Sequence, residues 1–168
     1  MQVNTVRFVP TDPHSAISDP APGIWIDTHT KIDVFTNTVT SSKPYDVAID
    51  YTDNGAGFTA AEFTSVKITY DDGTPDPNAE AINLPLRING WEYEATNSTT
   101  GGRVVKTKLW LISGKIPDII TRDEPFTLDI EGHFIHQDGT QVPFTIKQHF
   151  DIESETGTRR TEEVLIDD

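Results

Sequence analysis

Short runs in which apolar and polar side chains alternate every second residue recur along most of the chain. Five runs show the alternation clearly, at residues 45–51, 66–70, 105–111, 126–134 and 142–152. Weaker runs lie at residues 3–9, 24–26, 31–36, 84–88 and 91–95. A period of two is typical of half-buried strands, and roughly eight to ten short strands between prolines and glycines favour a sandwich or barrel. We therefore expect an all-β domain built as an antiparallel β-sandwich.

The length of 168 residues suits one domain that buries about two thirds of its unfolded surface, so we expect a single domain over residues 1–168. Within it, residues 11–23 hold three prolines without periodicity and predict an irregular surface loop. Residues 71–83 predict a second loop, and residues 96–102 a polar hairpin tip. Residues 153–168 predict a polar tail that ends in either an edge strand or disordered chain.

One short helical turn is predicted near residues 60–64. Thr59 and Glu62 have the spacing of a capping box, with Thr59 as the N-cap. Phe58 and Phe63 then occupy the two positions of a hydrophobic staple. Such a turn would connect two strands at one end of a sandwich.

A hairpin is expected over residues 126–152. A two-residue turn at its tip would point the apolar faces of its strands in opposite directions. A three-residue loop at residues 137–139 instead places Phe134 opposite Val142, so we expect this loop with Gly139 in a left-handed conformation. Pro143 cannot donate a backbone hydrogen bond, so its strand should be an edge there or turn that position outward.

Composition and charge restrict the classes of partner. The net charge of −14 repels nucleic acid and anionic membranes, and the absence of cysteine excludes disulfides and thiolate metal sites. No apolar run has the length of a membrane span, and the first residues lack the pattern of a signal peptide. The sequence leaves the oligomeric state and the cellular compartment open. A cell-surface location is one of the open alternatives if a leader has been removed.

Acidic residues give one candidate metal site. If residues 45–51 and 66–70 form neighbouring antiparallel strands, Asp46 faces Asp71, and Asp72 and Asp76 gather at the same end. Calcium would satisfy such a group because it takes several oxygen ligands. If the two strands belong to different sheets, the pairing disappears. We favour a solvated loop without a cofactor and keep calcium as the alternative.

The histidines do not predict a zinc site. His133, His136 and His149 belong to one hairpin, in which they lie too far apart to share an ion. His14 and His29 lie in other segments and could join one of them. We expect surface histidines that bind no metal.

Aromatic residues give the candidate ligand-binding positions. Trp25, Trp91 and Tyr93 are expected in the core. Trp110 shares its face of a predicted strand with two lysines, so we expect it to be partly exposed. Because an exposed tryptophan can stack on a sugar or anchor a protein partner, Trp110 and Trp91 are the candidates for ligand binding.

Several turn motifs resemble those of bacterial immunoglobulin-like modules. Residues 51–58 combine a strand ending in Tyr-x-Asp with a glycine-bearing loop, and residues 66–73 form an alternating strand that ends in Asp-Gly. The hairpin at residues 126–150 is similar to the closing hairpin of those modules. The resemblance covers less than half of the chain and implies an immunoglobulin-like sandwich with an adhesive, spacer or recognition role.

No spacing in the sequence matches a nucleophile elbow, a phosphate loop or a His-Glu-x-x-His metal site. We therefore expect no enzyme, but an interaction or structural module that binds a protein partner through loops or a sheet edge. The alternative is a carbohydrate-binding sandwich, with or without calcium support. A jelly-roll enzyme is the third hypothesis.

Overall fold

The computed structural model describes residues 1–52, 55–98 and 101–159, without the side chains at positions 13, 14 and 98. The strands of this described part are β1 (Gln2–Ile17), β2 (Gly23–Asp27), β3 (Lys31–Asp33), β4 (Thr38–Thr40), β5 (Tyr45–Thr52), β6 (Phe58–Tyr70), β7 (Leu86–Asn89), β8 (Trp91–Ser98), β9 (Val104–Ile120), β10 (Phe126–His136) and β11 (Gln141–Thr158). A single-turn helix, α1 (Pro77–Glu80), lies between β6 and β7.

Two sheets make up the fold. The larger has seven strands in the order β3-β4-β1-β11-β10-β6-β7, and the smaller has four in the order β2-β5-β9-β8. The paired strands run antiparallel, except that β1 and β4 are parallel. This arrangement confirms the expected all-β sandwich.

The core lies between the facing sides of the two sheets. Val47 and Ile112 from the smaller sheet and Phe126, Phe134 and Phe150 from the larger are at most 1% exposed. Rings of the larger sheet contact one another, with 5.3 Å between the centroids of Phe126 and Phe150. Each fully buried side chain of this size contributes about 1.5–3 kcal/mol, so the apolar alternation supplies most of the stabilisation.

The β10–β11 hairpin has the predicted register. Phe134 pairs with Val142, and the His136 backbone N–H donates to the Thr140 carbonyl at 2.8 Å across a three-residue loop. Gly139 has a φ of 89°, which is the left-handed conformation expected for this loop. The position of Pro143 is also as predicted, because β11 pairs with β1 only from Ile146 onward and is an edge at the proline.

The helical turn predicted near residues 60–64 is wrong, since residues 58–70 form the single strand β6. Its register against β10 shifts at two places, next to Thr59 and next to Thr64. Each bulge reverses which residues face the core, so Phe63 and Val66 are both buried although they lie three residues apart. This spacing resembles a helical repeat in the sequence, but pairing with β10 makes the segment extended.

Two other predicted irregular segments are partly strand. Half of the loop expected at residues 11–23 belongs to β1, whose pairing with β11 shifts between Thr11 and Ala16. In the described part of the chain, the side of β1 opposite β11 has no partner strand beyond Asn4, so this stretch tolerates prolines. The predicted polar tail is strand up to Thr158, while residues 160–168 lie outside the described part of the chain.

The helix α1 lies inside the loop predicted at residues 71–83. Asp76 caps its first turn, accepting the backbone N–H of Asn78 at 2.8 Å, and Pro77 opens the helix. Proline suits this position because its missing N–H is not needed there. Among the described residues, no helix has the length and apolar character needed to cross a bilayer.

Candidate functional site

The four carboxylates predicted to bind calcium do not form one group. Asp46 belongs to β5 of the smaller sheet, whereas Asp71 follows β6 of the larger, so the expected pairing of their strands does not exist. Asp71 instead contacts Nε2 of His149 at 2.9 Å. Asp72 accepts the backbone N–H of its neighbour Thr74 at 2.9 Å.

Asp76 is fully buried and holds the two sheets together. Its carboxylate accepts the Tyr70 hydroxyl from β6 and the backbone N–H of Thr121 at 2.9 Å, just after β9. Burial alone would raise the pKa of Asp76, but the hydrogen bonds from Tyr70, Thr121 and Asn78 outweigh it and keep that pKa below its usual value. Burial, followed by the bond to Asp76, raises the pKa of Tyr70 to about 12. Asp76 is therefore satisfied by protein donors.

Asp46 takes part in a different group, the Asp–His–Asp cluster of Asp27, His29 and Asp46. One ligand atom from each of these three residues lies within 4.8 Å of the others. Asp27 and Asp46 are directly opposite in the β2–β5 ladder, and Nε2 of His29 lies 3.1 Å from Oδ1 of Asp46. Three nitrogen and oxygen ligands on one side of a sheet can hold a small cation.

The loop after β2 positions the histidine of the cluster. The His29 backbone N–H donates to Oδ1 of Asp27 at 2.8 Å, and His29 has a left-handed φ of 53°. Asp46 also accepts the backbone N–H of Asp118 at 2.8 Å. The β5–β9 register shifts in this region, and the resulting bulge in β9 brings Asp118 over the buried carboxylate.

Lys115 supplies a positive charge beside the cluster. Its ammonium donates to Oδ2 of Asp27. This bond, and next the backbone N–H of His29, lower the pKa of Asp27, while the bond to Asp27 raises the pKa of Lys115. Of this cluster, the sequence pattern indicated Asp46 only in the calcium group and His29 only as a possible partner of another histidine, and it did not indicate Asp27. The available signal was an Asp-x-His motif at the end of a predicted strand.

The histidines contact separate acids. Besides His29 with Asp46, the pairs are His133 with Glu62, His136 with Asp138 and His149 with Asp71. The three hairpin histidines thus contact three different carboxylates. The side chain of His14 is outside the described set.

The three aromatic residues that were predicted to lie in the core are exposed. Trp25, Trp91 and Tyr93 are 50%, 59% and 37% exposed, so their expected burial is wrong. All three lie on the outer side of the smaller sheet. Trp25 pairs with Ala48 and Trp91 pairs with Leu111, which are next in sequence to the core residues Ile49 and Ile112 and therefore point away from the core. Tyr93 lies two residues after Trp91 and points to the same side. Trp110 is half-buried, as expected.

The two strands that carry Trp91 and Trp110 form an arm, defined as residues 91–98 of β8 and 104–111 of β9. Its outer face carries Trp91, Tyr93 and their cross-strand partners Leu111 and Leu109. Its other face carries charged side chains, with Lys108 3.7 Å from Glu92 and Lys106 3.7 Å from Glu94. The arm therefore combines an uncovered apolar face with a charged one.

Two open grooves lie on the outer face of the larger sheet. One of about 440 Å³ runs beside α1 and is lined by Lys67 and Leu84 among others. The other, of about 290 Å³, includes Asp129, Glu131 and Lys147 in its lining. Asp129 lies in register between Lys67 and Lys147, so its charge is balanced along the sheet surface.

Comparison with known proteins gave no relative. A scan against protein-family models, a search of curated proteins and a search of solved structures each found no match.

Proposed function

We propose that the chain is a non-catalytic binding module that recognises an extended protein segment along the free edge of β8. The observation that carries this proposal is the edge strand of the arm, β8, which has eight residues and exposes Trp91 and Tyr93 on its outer face. Large exposed aromatic side chains beside a free sheet edge are typical of binding surfaces. A recognition role also fits the immunoglobulin-like resemblance of the sequence.

Among the outermost strands of the two sheets in the described structure, β8 is the longest. The other outermost strands, β2, β3 and β7, have only five, three and four residues. An edge strand presents unpaired backbone N–H and C=O groups to which another strand can bond. A row of eight residues therefore offers more main-chain hydrogen bonds to an added segment than any other outermost strand.

The side chains of β8 indicate the chemistry of the partner. Trp91 and Tyr93 point to one face, and Glu92 and Glu94 to the other. An added strand would place its own alternating side chains about 4.5–5.5 Å from these residues. It should therefore carry apolar residues facing Trp91 and Tyr93, and lysine or arginine facing the glutamates.

The charges on the arm leave the glutamates available to a partner. Their contacts with Lys106 and Lys108 are long and exposed, and such pairs contribute only about 0–1 kcal/mol. A second copy of this chain would bring glutamates against glutamates and add to a net charge of −14 per chain. The partner is therefore a basic, extended segment of another protein.

Selection of peptides from a random display library against the purified chain tests this proposal. We expect enriched sequences to alternate basic and apolar residues. Peptide binding, measured by fluorescence anisotropy, should weaken at least about tenfold in Trp91→Ala or Tyr93→Ala, because aromatic anchors supply much of the energy at such sites. Glu92→Gln with Glu94→Gln should reduce the preference for basic peptides.

Trp25→Ala is the matched control, since Trp25 is similarly exposed on the same sheet but lies on β2, at the opposite edge. Its binding should equal that of the wild type. Enrichment of acidic peptides, or equal losses in Trp25→Ala and Trp91→Ala, would contradict recognition at β8.

Carbohydrate binding is the second candidate function. The observation that favours it is the side-by-side placement of Trp91 and Tyr93 on one open face, two residues and about 7 Å apart along the strand. Two adjacent rings of this kind can stack on a sugar. Binding to neutral glycans on an array that is lost in Trp91→Ala, without peptide binding, would support this function over strand recognition.

A further inference from the structure

We infer that Asp27, His29 and Asp46 form a binding site for a divalent transition-metal ion of the zinc class. The site lies at the end of β2, at the edge of the smaller sheet opposite β8. It is thus separate from the proposed recognition edge, and neither proposal depends on the other.

The ligand set and its geometry select this class of ion. One imidazole nitrogen with two carboxylates suits zinc, cobalt, nickel or manganese better than calcium, which prefers oxygen ligands alone. In a tetrahedral site with bonds of 2.0–2.2 Å, neighbouring ligand atoms lie about 3.3–3.6 Å apart. Nε2 of His29 and Oδ1 of Asp46 are already 3.1 Å apart, so this pair needs little movement, and the ligand atoms of all three residues lie within 4.8 Å of one another. Three protein ligands would leave one position for water.

The fold places the three ligands together without long flexible segments. Asp27 and Asp46 are neighbours in the β2–β5 ladder, where two directly opposite carboxylates repel each other. The Asp46 side chain is only 7% exposed, and a buried carboxylate requires a compensating charge. A dication between the two acids removes their repulsion and compensates the buried charge at once.

Lys115 occupies the outer side of this site in the structure. Its ammonium donates to Asp27, but its side chain is half exposed. A lysine at this position can withdraw into solvent when a metal ion takes its place. The ammonium and the ion therefore compete for the Asp27 carboxylate. Removal of the lysine should strengthen metal binding, whereas a purely structural ion pair predicts no such effect.

Titration of the chelator-treated full chain with Zn²⁺ and with Co²⁺, followed by calorimetry and by the visible absorption of cobalt, tests the inference. We expect one saturable ion per chain. His29→Gln should weaken binding at least about tenfold, because even indirect support of a metal ligand is worth that factor. Lys115→Gln should tighten binding by up to about fivefold, the equivalent of one exposed ion pair.

His149→Gln is the matched control, since His149 also contacts an aspartate, Asp71, but the described residues place no third ligand beside them. Its metal binding should match the wild type. Circular dichroism verifies folding, and if His29→Gln does not fold, Asp27→Asn decides by the same criterion. The inference is overturned if the wild type shows no saturable metal binding. It is also overturned if the folded cluster variant, His29→Gln or Asp27→Asn, binds metal like the wild type, or if His149→Gln loses metal binding to the same extent.

Discussion

The β10–β11 hairpin and the arm have the same local pattern but opposite surroundings. Both are antiparallel hairpins with apolar side chains at every second residue. In the first, Phe126 and Phe150 are at most 1% exposed, whereas Trp91 in the arm is 59% exposed. The alternation thus identifies extended chain in both places, but only the stacking of the second sheet determines whether the apolar face is covered.

The phase of the alternation along β9 explains this difference. Val105, Leu109 and Leu111 occupy odd positions, whereas Ile112 and Ile116, which are fully buried, occupy even positions. Because successive side chains point to opposite faces, the arm directs its apolar residues away from the core that the second half of the strand enters. The exposure of the apolar face of the arm therefore follows from the change between odd and even positions along β9.

The largest expected difference between the two regions is in the free energy of unfolding. Phe126→Ala should lower it by about 3–5 kcal/mol, because the substitution removes buried contacts and leaves a cavity. Urea denaturation measures the change. A loss below about 1 kcal/mol would show that the covered hairpin is packed no better than the arm.

A buried carboxylate of the core, Asp76 at the start of α1, and an exposed carboxylate of the arm should give the next largest difference. Asp76→Ala should cost roughly 2–4 kcal/mol, since it removes a helix cap and leaves the buried donors of Tyr70 and Thr121 unsatisfied. Glu92→Ala, which removes an exposed ion pair of the arm, should cost about 0–1 kcal/mol. Equal losses in thermal or urea unfolding would contradict the contrast between buried and exposed acids.

The pH dependence of stability should show the same contrast in a smaller effect. The pKa of Asp76 is lowered in the folded chain, so its contribution is complete above the ordinary value of 3.8 and is lost as the pH falls through the lower folded pKa. The stability advantage of the wild type over Asp76→Asn should therefore be constant near neutral pH and decrease below about pH 4. Urea unfolding at several pH values measures this advantage, and a constant difference down to pH 2 would contradict the assignment.

The smallest expected effect is the stability change from removing the exposed aromatic residues of the arm. Trp91→Ala should change the free energy of unfolding by less than about 1 kcal/mol, because the side chain loses few contacts. Any large effect of this substitution should instead concern binding. A loss above about 2 kcal/mol would indicate that the arm packs against a part of the protein that covers Trp91.

The sequence predicted local features of the fold more reliably than the candidate sites. The register of the β10–β11 hairpin followed from one requirement, that Phe134 and Val142 point to the same face. The interpretation of Thr59 and Glu62 as a helix start was wrong because bulges in β6 depend on its pairing with β10. The Asp–His–Asp cluster joins residues from two strands and a loop, and no spacing in the sequence states that Asp27 and Asp46 are opposite.

By itself the sequence determined that the chain is extended, where many strands lie and how its clearest hairpin pairs, because side-chain alternation and turn geometry act between residues close along the chain. Only the tertiary structure decided which apolar faces are buried, that Asp46 joins His29 instead of Asp71, and that Trp91 is exposed. Those outcomes depend on which strands become neighbours. Strand neighbours in turn are fixed by the total burial that two stacked sheets achieve, a property that no short segment contains.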